Sequence, residues 1–264
     1  MRRQGNARIC FAQRIGAVLF SACMVFLSGC HAPPHATLTL SMAASLKEAM
    51  AEVEASYKRL HPEVDFRDNF GSSGTLETQI EQGAPVDVFL SAAAGPMDTL
   101  ETMGLIAAGA RRTVLRGSLV LIAPRDSRLT GFEGLAAPAI RTIALGDPAS
   151  VPAGRYGRQT LVSLHLLDKL NAKLVMAKDV RQVLAYVESG NADAGLVYAS
   201  DALTSSKVRV VATAPESAHD AIVYPAAVVT GRPNEAAARQ FVMFLATPAA
   251  QAIFEKHGFL RADP

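Results

Sequence analysis

Two serines set between two glycines, in Asn69-Phe70-Gly71-Ser72-Ser73-Gly74-Thr75-Leu76, are the first groups in this chain whose spacing suggests chemistry. Upstream, Val64-Asp65-Phe66-Arg67 alternates apolar and polar as a short strand does, and downstream Leu76 and Ile80 fit a helix. A turn of this kind puts backbone N–H groups and hydroxyls at a helix N-terminus, where negative charge is stabilised. The same residues also read as an ordinary serine N-cap, and the turn alone does not separate the two readings. Similar strand-to-helix junctions recur at Ser45, at Ala153 within Val151-Pro152-Ala153-Gly154, and at Val180 after the capping Asp179. The turns carry no Lys or Arg, apart from Arg155 and Arg181 just beyond two of them. Neutral N–H and O–H donors can still hold a dianion, because dipoles aimed at it replace its water shell.

Other chemistries find less support. His31, His35, His61, His165, His219 and His257 show no metal-ligating pair spacing. Gly71-Ser72-Ser73-Gly74 is not the G-x-S-x-G elbow of a serine hydrolase, and no phosphate loop of the G-x-x-x-x-G-K-[ST] type is present. An exported hydrolase with Ser73 as nucleophile nevertheless stands as the rival from another class. Asp87 and Asp147 read as strand-end or turn residues, not as catalytic acids.

The elements that must position these turns alternate along the chain. Thr37-Leu38-Thr39-Leu40-Ser41-Met42 reads as a strand that runs into a helix carrying Leu46, Ala49, Met50 and Val53. Ser45 with Glu48 three residues later is expected to form a capping box there. Val86-Asp87-Val88-Phe89-Leu90 reads as a buried strand, giving a βαβαβ order that implies parallel pairing with helices on the sheet faces. After the apolar Ser118–Pro124 segment a second series follows. Strands are expected at Thr142–Leu145, Lys173–Met176, Gly195–Tyr198 and Val208–Ala212, with helices from about Tyr156 to Leu167 and from Asp179. Tyr224–Val229 is a last strand before two terminal helices. The expected fold class is α/β, with two lobes, a mixed sheet in each and two crossings between them. Residues 37–118 with 225–264 form the first lobe and 119–224 the second. Ligands of open α/β sheets bind beyond the carboxyl ends of strands, so four helix starts, two per lobe, converge on one cleft in this reading, and two crossings suit hinge closure.

Residues 1–30 read as a separate export signal. Arg2, Arg3, Arg8 and Arg14 precede the apolar run Ile15–Leu27, which has signal-peptide length. Leu27-Ser28-Gly29-Cys30 is similar to a lipobox, which implies lipidation of Cys30; cleavage after Ala32 or Ala36 is the alternative. A Pro/His linker, 31–36, follows. Cys10, Cys23 and Cys30 are the chain's three cysteines, so the mature domain has neither disulfide nor thiol chemistry. The whole chain carries a formal +2, but the four leader arginines leave 22 basic residues against 24 acidic ones, near −2 after processing. The basic balance is a leader property and gives no support for nucleic-acid or anionic-membrane binding.

In order and spacing, these runs resemble the periplasmic molybdate-binding proteins of ABC importers over residues 37–264. They include Ala43-Ala44-Ser45-Leu46, Gly71–Leu76, Gly83–Ala92, Gly146-Asp147-Pro148, Val151–Gly154, Asp179-Val180-Arg181, Gly195–Tyr198, Tyr224-Pro225, Ala250-Gln251 and Gly258-Phe259. The resemblance implies a type II periplasmic-binding-protein fold. It implies that molybdate, and with it tungstate, is held by neutral donors only: hydroxyl and backbone groups of Ser45 and Ser73, backbone N–H of Ala153 and Val180, and the phenol of Tyr198. It also implies a monomer with no enzymatic activity, cofactor or free metal ion, delivering the anion to permease transmembrane subunits with a cytoplasmic ATPase. Two departures are Met42, where Ala is often seen, and Gly74, where some members carry Ser. The second leaves open which of Ser72 and Ser73 points inward. A site for another tetrahedral oxyanion is the nearer alternative.

Overall fold

The computed structural model describes residues 35–262. The leader, its three cysteines, the lipidation candidate Cys30 and residues 31–34 of the linker lie outside the described residues. Two mixed sheets organise residues 35–262, and the connections at their edges build the site. The chain begins with β1 (Ala36–Ala43), α1 (Lys47–Leu60), β2 (Val64–Gly71), α2 (Ser73–Glu81), β3 (Val88–Leu90), α3 (Ala94–Thr102) and β4 (Arg112–Arg116). It continues with β5 (Leu119–Pro124), β6 (Ile143–Gly146), α4 (Pro152–Ser163), α5 (Leu167–Leu170), β7 (Leu174–Ala177), α6 (Val180–Glu188), β8 (Ala194–Tyr198), α7 (Ala199–Ala202) and β9 (Val208–Thr213). It returns through β10 (Val223–Val228), α8 (Glu235–Leu245), α9 (Pro248–Lys256) and β11 (Leu260–Arg261).

The first sheet has the order β11-β4-β10-β3-β1-β2 and the second β7-β6-β8-β5-β9. In each sheet three strands run parallel: β2, β1 and β3 in the first, β7, β6 and β8 in the second. The remaining strands pair antiparallel, β10 with β3 and β4, β5 with β8 and β9. Buried Leu38, Leu40 and Met42 of β1 meet the α1 stripe of Ala49, Met50, Val53 and Tyr57. Tyr57 in turn stacks edge-on against Phe241 and Phe244 of α8, at 5.0 and 5.1 Å. Such pairs add about 0.5–1.5 kcal/mol each beyond area burial, and these two tie the C-terminal helices to the first sheet.

Three local expectations need correction. The capping box at Ser45 and Glu48 does not form: a short 3₁₀ turn over Ala44–Leu46 precedes α1, whose N-cap Leu46 has no side-chain cap. Both side chains are engaged elsewhere, as described below. Helix α4 starts at Pro152, four residues before the expected Tyr156, because proline is well suited to the first helical position where no N–H is needed. It ends at Ser163, short of Leu167, and His165 takes a left-handed φ of 56°. Strands β4 and β11 were not anticipated. Only Val114 and Leu115 of β4 are buried, a pattern too short to read without the partners β10 and β11.

The start of α4 is pressed against the end of β6. A Cβ at Gly154 would lie 1.9 Å from the Gly146 carbonyl oxygen, so only glycine fits there. This close approach fixes where the first N–H groups of α4 point.

Candidate functional site: an anion cavity between two sheets

Each sheet sends the carboxyl ends of its three parallel strands into a junction. From the first come the β1–α1 turn with Ser45, the β2–α2 junction with Ser73, and Ala92 just after β3. From the second come α4 with Ala153, α6 with Val180, and Tyr198 at the end of β8. The structure brings all five residues expected from the sequence, Ser45, Ser73, Ala153, Val180 and Tyr198, into the wall of one cavity, with Ala92 beside them. All five are buried. The space left between these residues is about 10 Å³, close to the minimum that one water molecule needs. A larger groove of about 460 Å³ lies among residues 124–140 and Asp193, where Asp193 already accepts the N–H groups of Arg141 and Thr142. Size is therefore not the criterion; converging donors are.

Ser72 and Ser73 divide their work. Ser72 is the N-cap of α2, accepting from Thr75 N–H at 3.4 Å and lying 2.7 Å from the Thr75 hydroxyl. Ser73 Oγ accepts the Ala92 N–H at 2.9 Å. That bond occupies the serine oxygen and leaves its single proton to be donated elsewhere. Ser45 Oγ lies 3.2 Å from Tyr224 Oη.

The second sheet supplies backbone. Val180 opens α6 and Ala153 follows Pro152 at the start of α4, so both N–H groups belong to the first turn, which has no intrahelical acceptors. Asp179 caps α6 by accepting Gln182 N–H at 2.9 Å, as the sequence suggested. Tyr198 Oη–H donates to the Ala92 carbonyl at a long 3.4 Å, a contact weak enough to be exchanged for a stronger acceptor. Burial pushes the phenols of Tyr198 and Tyr224 well above their ordinary pKa, so both keep their protons at neutral pH. A phenol held neutral is a hydrogen-bond donor.

Several contacts run directly from one sheet's elements to the other's. Gly74 N–H donates to the Ser150 carbonyl at 3.0 Å. A Cβ at Gly74 would stand 2.7 Å from that oxygen, so a serine there would need the two segments to move apart. Arg181 donates to the carbonyls of Ala44 (3.2 Å) and Ser45 (3.5 Å) and meets the Glu48 carboxylate. Its other partners, Asp201 at 3.1 Å and Thr204 at 3.0 Å, belong to its own sheet's elements. Burial raises the Asp201 carboxyl to about 7, with Arg181 opposing that rise.

Asp87 and Asp147 take structural roles: Asp87 accepts Thr39 N–H at 2.7 Å and Asp147 accepts Ala149 N–H at 3.0 Å. Sequence reasoning missed Tyr224 and Ala92 as partners of the two serines. A tyrosine tip on a strand of small apolar residues was the available signal for the first, since a buried phenol needs a partner. The second is a backbone group and left no signal.

A two-sheet α/β fold that closes strand-end donors around a small cavity defines an extracellular solute receptor. The chain belongs to the bacterial extracellular solute-binding protein family, whose profile matches residues 38–260. It is 42% identical over 244 residues to YvgL of Bacillus subtilis, named an ABC transporter substrate-binding lipoprotein, covering 92% of this chain and 93% of that one. It is 41% identical over 231 residues to the molybdate-binding protein ModA of Escherichia coli, covering 84% and 88%. Among solved structures, the periplasmic molybdate-binding protein of Azotobacter vinelandii superposes with a TM-score of 0.78 at 28% identity, covering 86% of this chain and all of that one. Among the described residues no helix is long and apolar enough to cross a membrane.

Proposed function

We propose that this protein captures molybdate, and tungstate with it, between its two lobes and delivers the anion to the transmembrane subunits of an ABC permease driven by a cytoplasmic ATPase. The observation that carries the reading is the set of five neutral donors around one small cavity with no Lys or Arg in its wall. Ser45 and Ser73 donate through hydroxyl and backbone groups, Ala153 and Val180 through backbone N–H, and Tyr198 through its phenol. Hydrogen bonds to a charged group are worth about 1.5–3 kcal/mol each, so five can outweigh several kcal/mol of association cost. Capture closes the first sheet and its helices onto the second, about crossings near residues 118–121 and 222–226. The protein works outside the cytoplasm as a monomer, held to the membrane through Cys30, in keeping with the relative named a lipoprotein. In this reading it binds and does not catalyse, in keeping with relatives named as binding proteins.

Calorimetry with a panel of anions tests this. Heat is expected for molybdate and tungstate and little for sulfate or phosphate; tight sulfate binding without a molybdate signal overturns it. With no tryptophan in the chain, a melting shift is the companion readout, equivalent to about 4 kcal/mol at a thousandfold excess of ligand over Kd.

A further inference from the structure

Tyr224 stands outside the cavity wall yet touches two of its residues, Ser45 and Tyr198. It lies on β10, immediately after the chain crosses back to the first sheet, and is fully buried. Its ring packs edge-on against Tyr198 at 5.7 Å and Phe259 at 5.2 Å. Across the hinge, Gly117 N–H donates to the Ile222 carbonyl at 3.0 Å. A Cβ at Gly117 would come within 3.1 Å of Tyr224 Cε2, so the ring fills the space that any side chain at 117 would take. The Tyr224 hydroxyl meets Ser45 Oγ at 3.2 Å.

Two hydroxyls in contact share one hydrogen bond, and either can donate. The surroundings decide between them. If Ser45 donated to Tyr224, its only proton would point away from the cavity and a lone pair would face the anion, which is repulsive. If Tyr224 donates, Ser45 Oγ is satisfied as an acceptor and its own proton is free to turn inward. Ser73 already shows this arrangement with an unambiguous donor, the Ala92 N–H at 2.9 Å. The geometry points to Tyr224 as a positioning residue: it donates to Ser45 Oγ and thereby commits Ser45 as a donor to the bound oxyanion. This rests on the anion-binding reading above. Because Tyr224 belongs to the hinge, the commitment of Ser45 is tied to the strand on which closure turns.

The test is a double-mutant cycle on the full mature chain, read by calorimetry with molybdate. Ser45→Ala is expected to weaken binding about 10- to 100-fold and Tyr224→Phe, which keeps the ring, about 3- to 10-fold. The double variant should bind no more weakly than Ser45→Ala alone, because Tyr224 acts only through Ser45. Multiplying losses, or an unchanged Kd in Tyr224→Phe with its ligand-free fold intact, would overturn the proposal. A second measurement needs no variant and no ligand: proton NMR of the wild-type protein. A slowly exchanging Tyr224 hydroxyl proton with cross-peaks to the Ser45 β-protons is expected. A Ser45 hydroxyl proton directed at the Tyr224 ring would refute the assignment whether or not molybdate binds. If instead wild-type protein gives no heat with molybdate while this NMR signature is present, the molybdate reading fails and the hydrogen-bond direction stands.

Discussion

The two sides of the cavity present the same kind of charge by different means. The first sheet's side uses serine hydroxyls, whose protons can rotate and whose direction depends on a neighbour, Ala92 for Ser73 and Tyr224 for Ser45. The second sheet's side uses the first-turn N–H groups of α4 and α6, which only proline would delete and whose direction is set by the helix itself. Tyr198 is that side's one side-chain donor. One face is thus fragile to single-atom changes but tolerant of small backbone shifts; the other has the opposite weakness.

The contrast can be broken most severely at Gly154. Gly154→Ala drives a methyl into the Gly146 carbonyl, so α4 must move off β6 and carry the Ala153 N–H with it. We expect a stability loss of about 1–3 kcal/mol and binding weakened beyond about 100-fold, since the displaced Ala153 N–H is one of the proposed donors. A melting curve with and without molybdate checks both; an Ala variant with unchanged affinity would mean that this helix start holds no ligand.

On the hydroxyl face, Ser73→Ala should weaken binding about 10- to 100-fold and also lower stability by about 1–3 kcal/mol, because the buried Ala92 N–H loses its acceptor. Ser72→Ala should cost about 1 kcal/mol of stability through the lost cap and leave the Kd unchanged. Reversal of the two affinities in calorimetry would exchange the roles of these neighbouring serines.

The last effect concerns pH and stability and lies behind the faces. Glu54 on α1 is pushed up to about 8, mainly by burial and then by the Asp68 carboxylate beside it. Between its ordinary value of 4.5 and about 8 the folded chain keeps a proton that the unfolded chain has released. Stability therefore falls as pH rises through that window. Glu54→Gln should raise the melting temperature at pH 8, leave it nearly unchanged at pH 4, and not alter molybdate affinity at either. A slope of melting temperature against pH identical to wild type would show that Glu54 is not the group responsible.

Much of the architecture was legible because periodicity and turn chemistry are local. The alternation in Thr37–Met42, the cap at Asp179 and the Gly-Ser turn each mark an element from a few residues. Beyond local pattern, the order of short runs supplied the family resemblance, and with it five candidate residues that lie together in the cavity wall. The failures have one cause. Ser45 and Glu48 have capping-box spacing, yet Tyr224 and Arg181, distant in sequence, engage them instead. β4 becomes a strand only when β10 and β11 pair with it.

The sequence by itself determined which strand-to-helix turns could offer hydroxyl and N–H donors, and that these turns carry no Lys or Arg. Only the tertiary structure decided that Ser73 accepts the Ala92 N–H while Ser72 caps its helix, and that Gly154 packs α4 onto β6. A hydrogen bond has a direction and a helix start has an aim. Both are set by atoms brought together from remote parts of the chain, which no local pattern encodes.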